Sequence, residues 1–168
     1  MHPVVEISKK AVEAYVRDGV VIPAPADLPA ELRGRAGVFV SLKKGGTLRG
    51  CIGTIEPCCE NLAEEAIANA ISSAVRDPRF LPVRESELAK WTYSVDVLSE
   101  PEPINGLGEL DPKQYGVVVE QGNRRGLLLP DLEGVETAEQ QVTIARLKAG
   151  IGPDEPVQLY RFRVERFK

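Results

Sequence analysis

One histidine, one tryptophan and one methionine occur in 168 residues, and aromatic residues make up only 5% of the chain. The lone histidine, His2, lies beside the start of the chain, where termini commonly fray. A Cys-His or Ser-His-Asp mechanism therefore has no well-placed base. Cysteine is scarce too: Cys51, Cys58 and Cys59 form an odd set, two of them adjacent. Adjacent cysteines close a strained ring on pairing, and the spacing fits no zinc pattern of the CxxC type, so reduced thiols in a cytoplasmic protein are expected. A phosphate loop, a dinucleotide glycine fingerprint and a His/carboxylate metal set are all missing, and no cofactor or metal is indicated. No apolar run reaches membrane-spanning length, and Glu6, Lys9, Lys10 and Glu13 interrupt what would be the apolar core of a signal peptide. A soluble chain that does not engage membranes is expected. A formal charge of -4 argues against nucleic acid, which needs a concentrated basic surface. The local group Arg33, Arg35, Lys43, Lys44 and Arg49 reads as a solvated loop and hairpin tip.

What the chain does have is enough length for a core. At 168 residues it should bury about 70% of its unfolded surface without disulfides or metal. A first helix is predicted from about Val4 to Asp18, with Ile7, Ala11, Ala14 and Tyr15 on one stripe, Pro3 at its start and Gly19 as its stop. The proline-rich passage from Pro23 to Pro29 continues as a surface connection to Ala36. Then one pattern recurs. Gly37 to Val40 opens a strand, Lys43-Lys44-Gly45-Gly46 turns it, and Leu48 to Ile55 returns. A helix from about Asn61 to Arg76 follows, with Asn61 and Glu64 as a capping box, then a strand from Trp91 to Leu98. The second round runs through Gly116 to Val119, a Gly122-Asn123 turn, Gly126 to Leu129, a helix from Thr137 to Gly150 and a final strand from Val157 to Phe167.

The fold expected is α+β: a duplicated hairpin–helix–strand unit, antiparallel sheet with helices packed on it, plus an N-terminal helix. We read one domain over 1–168, with subregions 1–99 and 113–168 joined by a proline- and glycine-rich link at 100–112. Chance likeness of two ordinary hairpin–helix units is the alternative. Where the first round has Arg49, Cys51 and Gly53, the second has Leu127, Leu128 and Leu129, so any chemistry belongs to the first.

The stretch Leu48-Arg49-Gly50-Cys51-Ile52-Gly53-Thr54 carries most information. Strand side chains two apart share a face, so Arg49, Cys51 and Gly53 are expected to point together, with open space at Gly53. That arrangement suits a thiolate or a bound anion, with Cys51 as the catalytic candidate and Arg49 its electrostatic support. The counter-reading is structural. If Gly45 and Gly46 form the turn, Val40 lies opposite Cys51, flanked by Val38 and Leu42, and the thiol is a packed core residue. Cys58 and Cys59 precede a helix start, which could make either thiol acidic, or they fill a buried turn. Asp77-Pro78-Arg79-Phe80 either pins a helix exit with an ion pair or places Arg79, oriented by Asp77, beside Arg49 as an anion clamp. Asp96 is an aspartate within a strand, either on a solvated face or kept for a role. Gly50, Gly53 and Asp96 complete the candidate substrate-binding set with Arg49, Asp77 and Arg79.

Taken in order, Leu48 to Thr54, Asp77 to Phe80, Tyr93 to Leu98 with Pro101 to Ile104, Gly126 to Pro130 and Lys148-Ala149-Gly150 resemble the AmmeMemoRadiSam system protein A family, whose eukaryotic relatives are linked by name to a contiguous-gene-deletion syndrome. The likeness spans about Pro29 to Phe167. It implies a duplicated α+β fold and association with a radical S-adenosylmethionine protein and a dioxygenase-like partner of the Memo type. No cluster-binding cysteine triplet is present, so iron–sulfur chemistry would belong to the partner. Two functions stand open: an enzyme or enzyme component acting on a small polar or anionic substrate, and a non-catalytic ligand-binding module or assembly subunit of the same system.

Overall fold

The computed structural model describes residues 1–168. Three helices, α1 (Pro3–Asp18), α2 (Leu62–Val75) and α3 (Ala138–Ala149), accompany eight strands: β1 (Val38–Lys44), β2 (Thr47–Gly53), β3 (Thr92–Leu98), β4 (Glu102–Ile104), β5 (Gly116–Gln121), β6 (Arg124–Leu128), β7 (Gln158–Phe162) and β8 (Val164–Phe167). The strands form two four-stranded sheets, ordered β2-β1-β3-β8 and β4-β7-β5-β6. Residues 1–98 with 165–168 make one compact unit, and residues 99–164 make another.

In the first unit, α1 begins at Pro3 with His2 as its N-cap and ends at Gly19, whose φ of 67° is the left-handed conformation glycine adopts freely. Gly45 and Gly46 both take positive φ, 57° and 81°, which suits the tight primed turn joining β1 to β2. The Asn61 side chain accepts from the Glu64 amide at 2.9 Å, capping α2 as its sequence suggests. The reciprocal carboxylate of Glu64 reaches one residue further back, to the Glu60 amide at 3.2 Å. Helix α2 packs on β1, β2 and α1, so it is enclosed on more than one side. Val4, Ala11 and Val12 of α1, Ala63, Ala66 and Ala70 of α2, and Val38, Val40, Leu42 and Val95 of the sheet are fully buried together. Alanines on the facing helix surfaces let α1 and α2 approach closely over the sheet.

In the second unit, α3 starts with the reciprocal Thr137–Gln140 capping box and stops at Gly150, with φ of 71°. It packs on β5 and β6, over a core that includes Val117, Val119, Leu128, Val142 and Ala145. Strand β5 pairs antiparallel with β6 and β7, just as β1 pairs with β2 and β3.

Two expectations change. The link at 100–112 contains a strand, β4, which pairs with β7 through Glu102–Arg161, Pro103–Tyr160 and Ile104–Leu159. The final strand is not continuous: Arg163 interrupts it, giving β7 to one sheet and β8 to the other. The alternation of Tyr160, Phe162 and Val164 runs straight through, so the sequence shows no break. It occurs because Ser99 takes both peptide groups of Arg163, its hydroxyl accepting from the Arg163 amide and its own amide donating to the Arg163 carbonyl, each at 2.8 Å.

No helix is long and apolar enough to cross a membrane.

Candidate functional site

The turn sets Lys44 opposite Thr47 and Lys43 opposite Leu48. Continued without interruption, that register would place Cys51 against Val40. It is interrupted: Leu42 pairs with Gly50, Arg49 is left as an extra residue in β2, and beyond it Ser41 pairs with Cys51, Val40 with Ile52 and Phe39 with Gly53. A one-residue bulge transfers every following side chain to the other face of the sheet. Cys51 therefore leaves the face of Val38, Val40 and Leu42, which are fully buried. It stands in a row with Ser41 and, across β1, Ser94. All three are half-buried, and the Ser41 hydroxyl lies 3.2 Å from the Cys51 sulfur.

The bulge also separates Arg49 from the face it was expected to share. The Arg49 guanidinium pairs with Glu87 at 3.1 and 3.3 Å, and its Cζ lies 5.9 Å from the centroid of the Phe80 ring. The Cζ of Arg79 lies 5.4 Å from the same ring, so Phe80 brings both guanidinium groups to one neighbourhood at the edge of the sheet. Arg49 Nη1 is enclosed and has no hydrogen-bond partner. The hydrogen bonds from Arg49 hold the Glu87 carboxyl below its usual range against a smaller effect of burial.

The glycines have other reasons than open space. A Cβ at Gly53 would stand 2.3 Å from the Phe39 ring and 2.4 Å from the Val38 carbonyl oxygen, so the expected hollow is filled. A Cβ at Gly50 would stand 2.1 Å from the Ser73 carbonyl oxygen, so glycine there admits the backbone of α2.

That close approach has a purpose. Glu65, Asn69, Ser73 and Asp77 recur every four residues along α2 and its exit, and all are buried. Each bonds to β1, β2 or the loop after them. Glu65 Oε1 accepts from the amides of Cys58 and Cys59 at 2.8 and 2.9 Å, and Oε2 accepts from the Thr54 hydroxyl at 2.9 Å. Asn69 donates to the Val38 carbonyl at 2.9 Å. The Ser73 hydroxyl sits 2.7 Å from the Val40 carbonyl oxygen and accepts from the Ile52 amide at 2.8 Å. Asp77 accepts from the Cys51 amide at 3.0 Å. A spacing of four places polar residues on one line of a helix, so this seam was legible in the sequence, though masked by the apolar residues around it.

At the last step of the seam, Asp77 meets Arg79 in a bidentate pair at 2.7 and 3.0 Å, and Arg79 Nη2 also donates to the Cys51 carbonyl at 3.3 Å. Strand β2 is at the sheet's edge, where outward peptide groups have no neighbouring strand. Asp77 and Arg79 supply that partner for Cys51, one group each. Burial alone would raise the Asp77 carboxyl, but the Arg79 side chain and the amides of Cys51 and Arg79 outweigh it and hold the pKa at about 2. The same bond to Asp77 pushes the Arg79 guanidinium upward. In the loop held by Glu65, burial and then the charges of Glu65 and Glu64 raise the Cys59 thiol.

Asp96 lies on the same sheet face as Cys51, opposite Phe39, but two strands away. It is buried in a bidentate pair with Arg166, both contacts at 2.7 Å, and so ties β8 to β3 rather than joining Arg49 and Arg79. His2 is ordered by its cap bond from the Val4 amide, at 3.2 Å, and by stacking on Phe167.

The second unit offers a comparison within the chain. A Cβ at Gly126 would meet the Ala145 carbonyl oxygen at 2.1 Å, and Lys148 donates to the Leu127 carbonyl at 2.9 Å. Gly126 thus stands where Gly50 does, which sets Leu127 in the place of Cys51 and Arg125 in that of Arg49. The expected match of Arg49 with Leu127 is displaced, because β6 carries no bulge. In place of the row Cys51, Ser41, Ser94, the second sheet has Leu127, Val118 and Tyr160. The polar row is a property of the first unit.

The sequence from residue 5 to 167 matches the AMMECR1 family. The chain is 54% identical over 170 residues to a protein of Thermotoga maritima, covering 99% of this chain and 98% of that one. It is 48% identical over 168 residues to a protein of Clostridium acetobutylicum, covering 99% of this chain and 36% of that longer one. The crystal structure of protein PH0010 from Pyrococcus horikoshii resembles it with a TM-score of 0.90 at 36% identity, covering 97% of this chain and 88% of the other. The chain belongs to the AMMECR1 family, the same one that its motifs resemble.

Proposed function

We propose that the protein handles a small polar or anionic substrate on the first sheet's helix-free face, with Cys51 as the group that meets it, in a system shared with a radical S-adenosylmethionine protein and a Memo-like partner. One observation carries this reading: a single bulge at Arg49 turns the Cys51 thiol away from the apolar core and into a polar row with Ser94 and with Ser41, whose hydroxyl lies 3.2 Å from the sulfur. Asp77 and Arg79 act as positioning residues, since they hold the Cys51 amide and carbonyl. Arg49, beside Arg79 on Phe80, adds positive charge at the strand edge rather than on the thiol's own face. The partners rest on the family resemblance.

A binding role without catalysis is favoured by one feature. Asp77 accepts four hydrogen bonds and has a pKa of about 2, too weak a base to take a proton near neutral pH. Two measurements separate the readings. In a C58S/C59S background, iodoacetamide at neutral pH should label Cys51 in the folded chain, and Cys51→Ser should abolish turnover by the reconstituted system. Full turnover by the serine variant removes the thiol from the chemistry. A thiol inert to alkylation, with ligand binding retained, assigns the binding module.

A further inference from the structure

A hollow lies on the side of the first sheet away from Cys51, unconnected with the Cys51 reading. Val97 pairs with Val38 and so faces the helices, whereas Cys51 faces away from them. There, Val4 at the start of α1, Leu62 at the start of α2, Val97 of β3 and Phe167 of β8 wall a cavity of about 260 Å³, whose polar lining is His2, Glu31 and Glu165. At about 30 Å³ per water, the space equals about nine waters, which suits a chain of roughly six heavy atoms with water around its charged end.

Charge decides what such a ligand would be. Glu31 and Glu165 are exposed, and their carboxylates make no ion pair or hydrogen bond within the chain. Two carboxylates beside hydrocarbon walls repel an anion and favour a cation with an apolar body. The His2 Nδ1 accepts from the Val4 amide, so that nitrogen is occupied within the chain, and the ring lies stacked on Phe167 with centroids 3.9 Å apart. The amides of Val5 and Glu6 are also occupied, both donating to the His2 carbonyl at 3.0 and 3.1 Å, which leaves little of the helix start for an anion.

We propose that this cavity binds a small aliphatic ammonium, its methylenes against Val4, Leu62, Val97 and Phe167 and its charged nitrogen between Glu31 and Glu165. The same chemistry is offered by a free alkylamine or diamine and by a lysine side chain on another protein.

The test uses the untagged chain, titrated with 1,4-diaminobutane, with an N-acetyl-lysine amide, and with butyrate as the anionic control, followed by calorimetry and amide chemical shifts. A ligand of this size should bind with a Kd of about 1 mM. Shifts should concentrate at Val4, Val97 and Phe167. Glu31→Gln and Glu165→Gln should each weaken binding up to about fivefold, as expected for partly exposed ion pairs. Tighter binding of the diamine assigns a free amine, and tighter binding of the lysine amide assigns a protein side chain. Equal binding of butyrate, undiminished binding by the double glutamine variant, or no saturation by either amine in the millimolar range overturns the proposal.

Discussion

Asp77→Asn gives the most direct test of how the Cys51 strand is held. In the folded chain the carboxylate accepts from the Cys51 amide, the Arg79 amide and two guanidinium nitrogens, at 2.7 to 3.1 Å. Its pKa falls from 3.8 to about 2, so folding favours the charged form by about 2 kcal/mol. The unfolded chain therefore takes up the proton first as pH falls. The stabilisation is complete above about pH 4, is about half lost at pH 3, and is nearly gone at pH 2. Asparagine carries no charge at any pH and retains one carbonyl for the Cys51 amide, so the gap between parent and variant should trace that curve. Urea unfolding can be followed by the fluorescence of Trp91, the sole tryptophan, buried in the same unit. A gap of about 2 kcal/mol at pH 7 that closes towards pH 2 is expected. A gap unchanged between these limits, or below about 0.5 kcal/mol at neutral pH, refutes the assignment of Asp77 as a charged brace.

Gly50→Ala should lower stability by about 1–3 kcal/mol, because its methyl group would fall 2.1 Å from the Ser73 carbonyl oxygen. An unchanged calorimetric melting temperature would show that α2 does not approach β2 so closely. Glu65→Ala leaves the Cys58 and Cys59 amides without their acceptor, at a cost of about 3 kcal/mol. Because Glu65 also helps raise the Cys59 thiol, the same variant should alkylate faster at Cys59, a rate measurable by mass spectrometry. Slower or equal labelling contradicts the role given to Glu65.

Helix boundaries were readable because their signals are local. Asn61, Thr137, Gly19 and Gly150 act as caps in the structure as their positions suggest. The α+β class followed from the order of elements, and the Asp77–Arg79 pair from their spacing around Pro78. The face of Cys51 was not readable, because it depends on one unpaired residue within a regular run of strand. Nothing in Thr47 to Gly53 marks Arg49 as the extra residue; what requires it is Gly50 fitting beneath Ser73, a contact between residues 23 apart in number. The break at Arg163 is hidden for the same reason, since its cause is Ser99. Ser41 and Glu87 were missed because a serine in a strand and a glutamate in a single 3-10 turn carry no pattern of their own, whereas Glu65, Asn69 and Ser73 had one.

The division of the last strand at Arg163 has a consequence for anyone dissecting the molecule. A fragment ending near Leu98, where the first run of elements closes, would lack the four residues that flank β3. It would expose a row of peptide groups ready to recruit another chain, and it would strand the Asp96 carboxylate without Arg166. Grafting 164–168 behind residue 98 through a short flexible tether would restore both, whereas a simple truncation yields a species prone to aggregate.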